Sequence, residues 1–143
     1  MTQEEKEILI RDLCGRLPYE VKVHIKKWSK LDIKYYEGVY TVESIDPSLN
    51  NIIGYSERKF DEVIVGDDDY EIKPYLFPLS SMTEEEWEEY QKIRMIDWVH
   101  GDINGTFINA SLIVDWLNAH HFDYRGLINK SLALDATGLN IYD

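Results

Sequence analysis

The sequence predicts an α+β fold: a small antiparallel β-barrel or bent sheet, with an N-terminal helix and C-terminal helices packed on it. Three observations point there. Apolar residues alternate at period two from Val21 to Ile25, and four further short strand-like runs follow up to Tyr75. Outside that stretch the period is helical, and two helix starts carry capping boxes, Thr2 with Glu5 and Thr83 with Glu86. Clusters of turn residues separate the runs closely enough for tight antiparallel connections.

The elements follow in order. Residues 1–15 predict a helix with Ile8, Leu9, Asp12 and Leu13 along one stripe, Gly15 as its left-handed terminator and Pro18 preventing continuation. Val21, Val23 and Ile25 alternate with Lys22, His24 and Lys26 as a half-buried first strand. A second strand spans Tyr36 to Ile45, a third carries Ile52, Ile53 and Tyr55, and a fourth Val63, Ile64 and Val65. Tyr70, Ile72 and Tyr75 predict a fifth, which Pro74 and Pro78 confine to an edge. An SH3-like or OB-like barrel fits five such strands. After Thr83, Met82 and Trp87 stand at the positions of a hydrophobic staple, and Trp87, Tyr90, Ile93 and Ile96 form the buried stripe. Gly101 to Gly105 reads as a loop, Ala110 to His120 as a second C-terminal helix, and Tyr124 to Ala136 as a third. No linker or repeat divides the chain, so residues 1–143 form one domain: helix 1–15, a β-rich part 19–79 and a helical part 83–138.

Composition narrows the function classes. With 27 acidic and 15 basic residues the net charge is −12, which opposes binding to nucleic acid or an anionic membrane and favours basic partners. The acidity is uneven: residues 83–143 hold 11 acidic against 4 basic residues. One cysteine, Cys14, excludes an intrachain disulfide and a thiolate zinc site. The polar, acidic start lacks a signal peptide's apolar region, and no apolar run reaches the ~20 residues of a membrane span. A cytoplasmic location is expected.

The segments Asp12-Leu-Cys-Gly-Arg-Leu-Pro-Tyr19, Lys73-Pro-Tyr-Leu-Phe-Pro-Leu-Ser-Ser-Met-Thr-Glu-Glu-Glu86 and His120-His-Phe-Asp-Tyr-Arg-Gly-Leu-Ile128 together resemble a family of short uncharacterised proteins of Bacteroides-group gut bacteria and their phages and mobile elements. The resemblance covers the two ends of the chain better than residues 26–70. It implies a bacterial or phage setting and carries over no functional residue.

Two segments carry the candidate residues. The stretch from Trp116 to Gly126 gathers two histidines, a carboxylate, a guanidinium and aromatic rings. His120, His121 and Asp123 are metal-ligand types, but adjacent histidines at a helix end diverge, so the expected roles are structural. The histidines meet a helix C-terminus, and Asp123 caps the next helix from N–H groups near Arg125 and Gly126, with Phe122 and Leu127 as a staple. Arg125 suits an anion, or an ion pair with Asp123, Asp115 or another of the many carboxylates. His121, Tyr124 and Arg125 are the binding candidates here.

The second segment sets Lys22, Lys26, Lys27, Lys30 and Lys34 among His24, Trp28, Tyr35 and Tyr36. Lysines beside aromatic platforms can hold a single strand of nucleic acid by charge and stacking. The plainer alternative is a solvated lysine face guarding a sheet edge. Gly66-Asp-Asp-Asp69 reads as a solvated turn rather than a Ca²⁺ loop. No nucleophile elbow, phosphate-binding loop or dinucleotide fingerprint is present, and no cofactor is expected. The expected function is non-enzymatic binding or regulation through contact with a protein partner, with single-strand binding through Lys22–Tyr36 as the alternative. A metal-dependent enzyme comes third.

Overall fold

The computed structural model describes the backbone of residues 1–56, 59–95 and 103–143, and the side chains of these except 55, 56, 59, 60 and 103–109. Helix α1 spans Gln3–Arg16 and opens with the expected capping box: Glu5 N–H donates to Thr2 Oγ1, and Thr2 N–H donates to the Glu5 carboxylate. Gly15 does not terminate it. It lies inside the last turn, where an added Cβ would come within 3.2 Å of Asn118, so its lack of a side chain serves close packing. The left-handed residue is Glu20, after a 3₁₀ turn over Leu17–Tyr19 whose second residue is Pro18.

Five strands follow: β1 (Lys22–Ser29), β2 (Lys34–Asp46), β3 (Asn51–Ser56), β4 (Lys59–Ile64) and β5 (Tyr70–Pro78). They pair antiparallel in the order β4-β3-β2-β1-β5. A register shift between Val42 and Ser44 marks a bulge in the long β2, which bends the strand. One face is apolar. Val23, Ile25, Val42, Ile52, Val63 and Ile72 pack with Val21 and Val65 against Leu9, Ile10 and Leu13 of α1. The helix covers this face, as hydrophobic burial requires of a one-sided sheet.

The barrel does not form. No ladder among the described residues joins β4 to β5, and the sheet is open. It is also mixed, because two short strands, β6 (Phe122–Asp123) and β7 (Leu134–Asp135), join β5 in parallel. The third C-terminal helix expected from Tyr124 to Ala136 does not form: turns and bends fill most of the stretch, and only Leu134 and Asp135 of it are strand. Its apolar residues are buried one by one instead: Leu127, Leu132 and Ala133 pack with Leu76, Ile8 and Ile128. A strand pairing on the sheet won over a helical period that had no partner surface of its own.

The edge position of β5 holds only for its first half. Residues 70–74 pair with β1 alone, so Pro74, opposite Val23, needs no second partner. From Tyr75 onward the strand is flanked twice. Phe77 N–H donates to His121 O and Ala136 N–H donates to Leu76 O, both at 2.8 Å. The two ends of a trans peptide point in opposite directions, so β6 and β7 clasp β5 from opposite sides.

Helix α2 spans Glu84–Arg94, with the Thr83–Glu86 capping box as expected. It buries no residue, and Trp87 is 51% exposed, so the expected buried stripe is not formed. Ile96 lies outside the described residues. Helix α3 spans Ile103–Ala119, so residues 103–105 are helical rather than loop. Only Leu117 and Asn118 of its described side chains are buried, with Ile113 and Trp116 at the margin. Among the described side chains, the α2–α3 pair meets the rest of the protein mainly through the C-terminal end of α3. No helix among the described residues is long and apolar enough to cross a membrane.

Candidate functional site

The segment from Trp116 to Gly126 links α3 to β6 and folds back onto the end of α1. His121 takes a left-handed backbone (φ 61°), which turns the chain out of α3 and into β6. Its side chain is driven inward and stacks on Tyr142, with ring centroids 3.6 Å apart and planes 11° from parallel. Nδ1 of His121 is buried with no hydrogen-bond partner among the described residues. Burial pushes this imidazole down to about 4, and Arg16, His120 and Lys22 add repulsion. His121 is therefore neutral at pH 7. His120 stacks on Trp116 at 4.1 Å, and its Nδ1–H donates to Trp116 O (2.9 Å).

Asp123 is a cap, but of a turn. Its two oxygens accept from Leu127 N–H and Ile128 N–H, each at 2.9 Å, rather than from Arg125 and Gly126 as expected. With no helix to follow, the carboxylate reaches four and five residues ahead and closes the loop. His120, His121 and Asp123 thus have separate structural engagements, and no group of three metal-ligand side chains occurs among the described residues.

Arg125 pairs with neither Asp123 nor Asp115. Its Nε–H donates to Asp12 Oδ1 (3.2 Å) across the interface with α1. Asp12 also takes two bonds from Arg16, from Nε (2.8 Å) and Nη2 (3.2 Å), and Arg16 Nη2 donates to Phe122 O (2.7 Å). Asp12 and Arg16 are fully buried. The guanidinium groups of Arg16 and Arg125 lie 5.2 and 5.1 Å from the Tyr124 ring centroid, and Tyr124 Oη–H donates to Asn118 (2.9 Å). Asp12 and Arg16 were not among the sequence candidates; their i, i+4 spacing was the only local signal. This network is a junction that ties α1 to the C-terminal segments. Asp123 and Tyr124 border a cleft with Ser80, Asn129 and Asp135, but His121 and Arg125 do not line it.

Residues 22–36 form the β1–β2 hairpin. Strand alternation splits the lysines: Lys22, His24, Lys26 and Trp28 share the face opposite the core, and Lys27 projects from the other. Carboxylates interleave with them. The ladders set Lys26 between Glu37 and Glu71, His24 lies 3.1 Å from Glu37, Lys27 pairs with Asp61 (3.4 Å) and Lys30 with Asp69 (3.5 Å). Two aromatic faces are already occupied: Lys26 Nζ lies 4.6 Å from the Tyr35 centroid and Lys34 Nζ 4.7 Å from that of Tyr36. Trp28 meets Tyr35 edge to face at 4.8 Å.

The hairpin tip is different in character. Leu31 is 93% exposed, Ile33 76% and Tyr35 60%. Ile33 is held at φ 52°, a left-handed conformation that a β-branched residue rarely adopts. The turn is fixed by Asp32, whose N–H donates to Ser29 Oγ (3.2 Å) and whose carboxylate accepts from Tyr36 Oη (2.5 Å). Asp32 thus presents Leu31 and Ile33 outward on a braced turn.

Comparison of the chain with family models, with curated proteins and with solved structures gives no match.

Proposed function

We propose that this protein is a non-enzymatic binding module that engages a protein partner through the tip of the β1–β2 hairpin. The observation that carries this reading is the exposure of Leu31, Ile33 and Tyr35 together on a braced, strained turn. Exposed apolar clusters on a rigid frame mark contact surfaces, and rigidity lowers the ordering cost of binding. Strain of this kind costs ~1–3 kcal/mol and persists where function uses the conformation.

The partner should offer an apolar pocket with a basic rim. In the tip Asp32 stands between Lys30 and Lys34, Asp69 pairs with Lys30, Glu37 and Glu71 flank Lys26 further down the hairpin, and the whole chain carries −12. Such a field steers a basic surface into encounter. The resemblance at the two ends of the chain supports a bacterial or phage setting for this partner. Single-strand binding has less support, because the lysines of the hairpin are interleaved with carboxylates and two of them cover tyrosine faces.

The test is capture from bacterial lysate, with and without nuclease, by the full chain and by a Leu31→Ser/Ile33→Asn variant. Asparagine tolerates the left-handed position, so the fold should survive, as circular dichroism would verify. A protein retained by the parent, insensitive to nuclease and lost by the variant is the expected result. Retention unchanged in the variant, or dependent on nucleic acid, overturns the proposal.

A further inference from the structure

Tyr142 occupies an unusual place in the sheet. The β1–β5 ladder ends at Val23 opposite Pro74, so the next rung would pair Lys22 with Tyr75. The phenol of Tyr142 stands in that rung. Its Oη accepts from Lys22 N–H (3.0 Å) and donates to Tyr75 O (2.7 Å). The ring packs between His121 and Phe77, with centroids 3.6 and 6.0 Å away. Residues 137–143 therefore act as a strap whose tyrosine is a wedge between two strands.

We infer that this strap is an acid-releasable latch: protonation of His121 expels Tyr142, after which Lys22 and Tyr75 can pair directly. The geometry supplies both halves of a switch. The closed state holds His121 buried, with Nδ1 unpartnered and therefore no acceptor for a second ring proton. The groups that act on it are mostly cationic: Arg16 from α1, Lys22 from β1 and the neighbouring His120. The carboxylate that Arg16 brings to this cluster, Asp12, is engaged by Arg16 and Arg125, and Asp123 accepts from Leu127 and Ile128. Desolvation is the largest of the effects that hold His121 neutral, and the stacked phenol face, which would attract an imidazolium, works against it. The open state has its own backbone pairing to adopt, so release leaves no orphaned strand groups. It would also uncover the ring of Phe77.

The sign follows from linkage. His121 titrates at about 4 with the strap closed and near its ordinary 6.5 when released. Opening should therefore become about 80-fold more favourable between pH 6.5 and 4, and about 300-fold over the whole titration. Nuclear magnetic resonance of the full chain across this range provides the readout. The Lys22 amide and residues 137–143 should shift and lose hydrogen-exchange protection together, in step with the His121 ring. The amides of Leu9, Val23 and Ile52 should stay protected. His121→Asn, which suits the left-handed backbone but does not titrate, should remove the pH dependence. Tyr142→Phe, which keeps the stack but not the two hydrogen bonds, should loosen the strap at neutral pH. Three outcomes overturn the latch: a strap unmoved as His121 titrates, the same acid transition in His121→Asn, or loss of core and strap protection in one step.

Discussion

At the scale of single residues, the strongest local commitment is Asp12. It is fully buried and answers two guanidinium groups. Removing one partner of a buried pair leaves an uncompensated charge and costs roughly 3–5 kcal/mol. Asp12→Ala should lose about that much, read as a drop in the urea midpoint. Arg125→Met should cost less than Arg16→Met, because Arg125 keeps partial contact with water and Arg16 also holds the Phe122 carbonyl. Equal losses in the two variants would argue against this order. The candidate segment was half legible at this scale. Asp123 reads as the N-cap of a following helix; its carboxylate does take backbone N–H groups ahead of it, but in a turn, because that helix does not form. The fate of His121 could not be read, because the ring that covers it comes from Tyr142, twenty-one positions away. Arg125 was recognised as an ion-pair former, but its carboxylate came from α1 rather than from its own neighbourhood.

At the scale of elements, the two capping boxes make a matched pair with unequal consequences. Thr2→Ala and Thr83→Ala each remove a capping bond worth ~1 kcal/mol. Helix α1 carries Leu9 and Leu13 into the core, so Thr2→Ala should shift the global unfolding transition. Helix α2 has no fully buried residue, so Thr83→Ala should fray its first turn and leave that transition in place. Hydrogen exchange at residues 84–88, set against the denaturant midpoint, separates the two effects. In the β1–β2 hairpin, Ile33→Asn should raise stability by about 1 kcal/mol by relieving the left-handed isoleucine. A fall in stability would show that Ile33 is supported rather than strained. Strands were legible from their alternation, which depends only on which face meets the core. The run from Tyr124 to Ala136 was not. Its apolar spacing suits a helix, yet Asp123 closes a turn over Leu127 and Ile128, and Leu134 and Asp135 pair with Tyr75 and Leu76 of β5.

At the scale of the whole molecule, the pH profile of stability should be narrowed at both ends. The folded pKa of His121 is depressed to about 4, so its contribution is present above the unfolded value of 6.5 and is lost as pH falls towards 4. The full loss is on the order of 3 kcal/mol, less whatever release of the strap relieves. Burial pushes Tyr142 up to about 12, so its contribution is present below pH 10 and is lost as pH rises towards 12. Urea titrations from pH 4 to 11 should trace both flanks, and His121→Asn should flatten the acidic one. Added salt should stabilise the protein near neutrality by screening the −12 net charge. A stability that fell with salt would assign the surface ion pairs more weight than their exposure allows.

By itself the sequence determined what depends on neighbours along the chain: the α+β class, both capping boxes, the five strands and the acidic charge. Those follow from periodicity, from side chains that bond their own backbone, and from composition. Only the tertiary structure decided that the sheet stays open, that β6 and β7 clasp β5, that Asp12 joins two arginines and that Tyr142 stands in a rung of the ladder. Each of these is a contact between residues far apart in sequence, where what matters is which surface is left to bury. The hairpin tip shows the same division. Its residues were in view as a basic and aromatic run, but only the fold split the lysines between two faces, set carboxylates among them and left Leu31 and Ile33 exposed at its end.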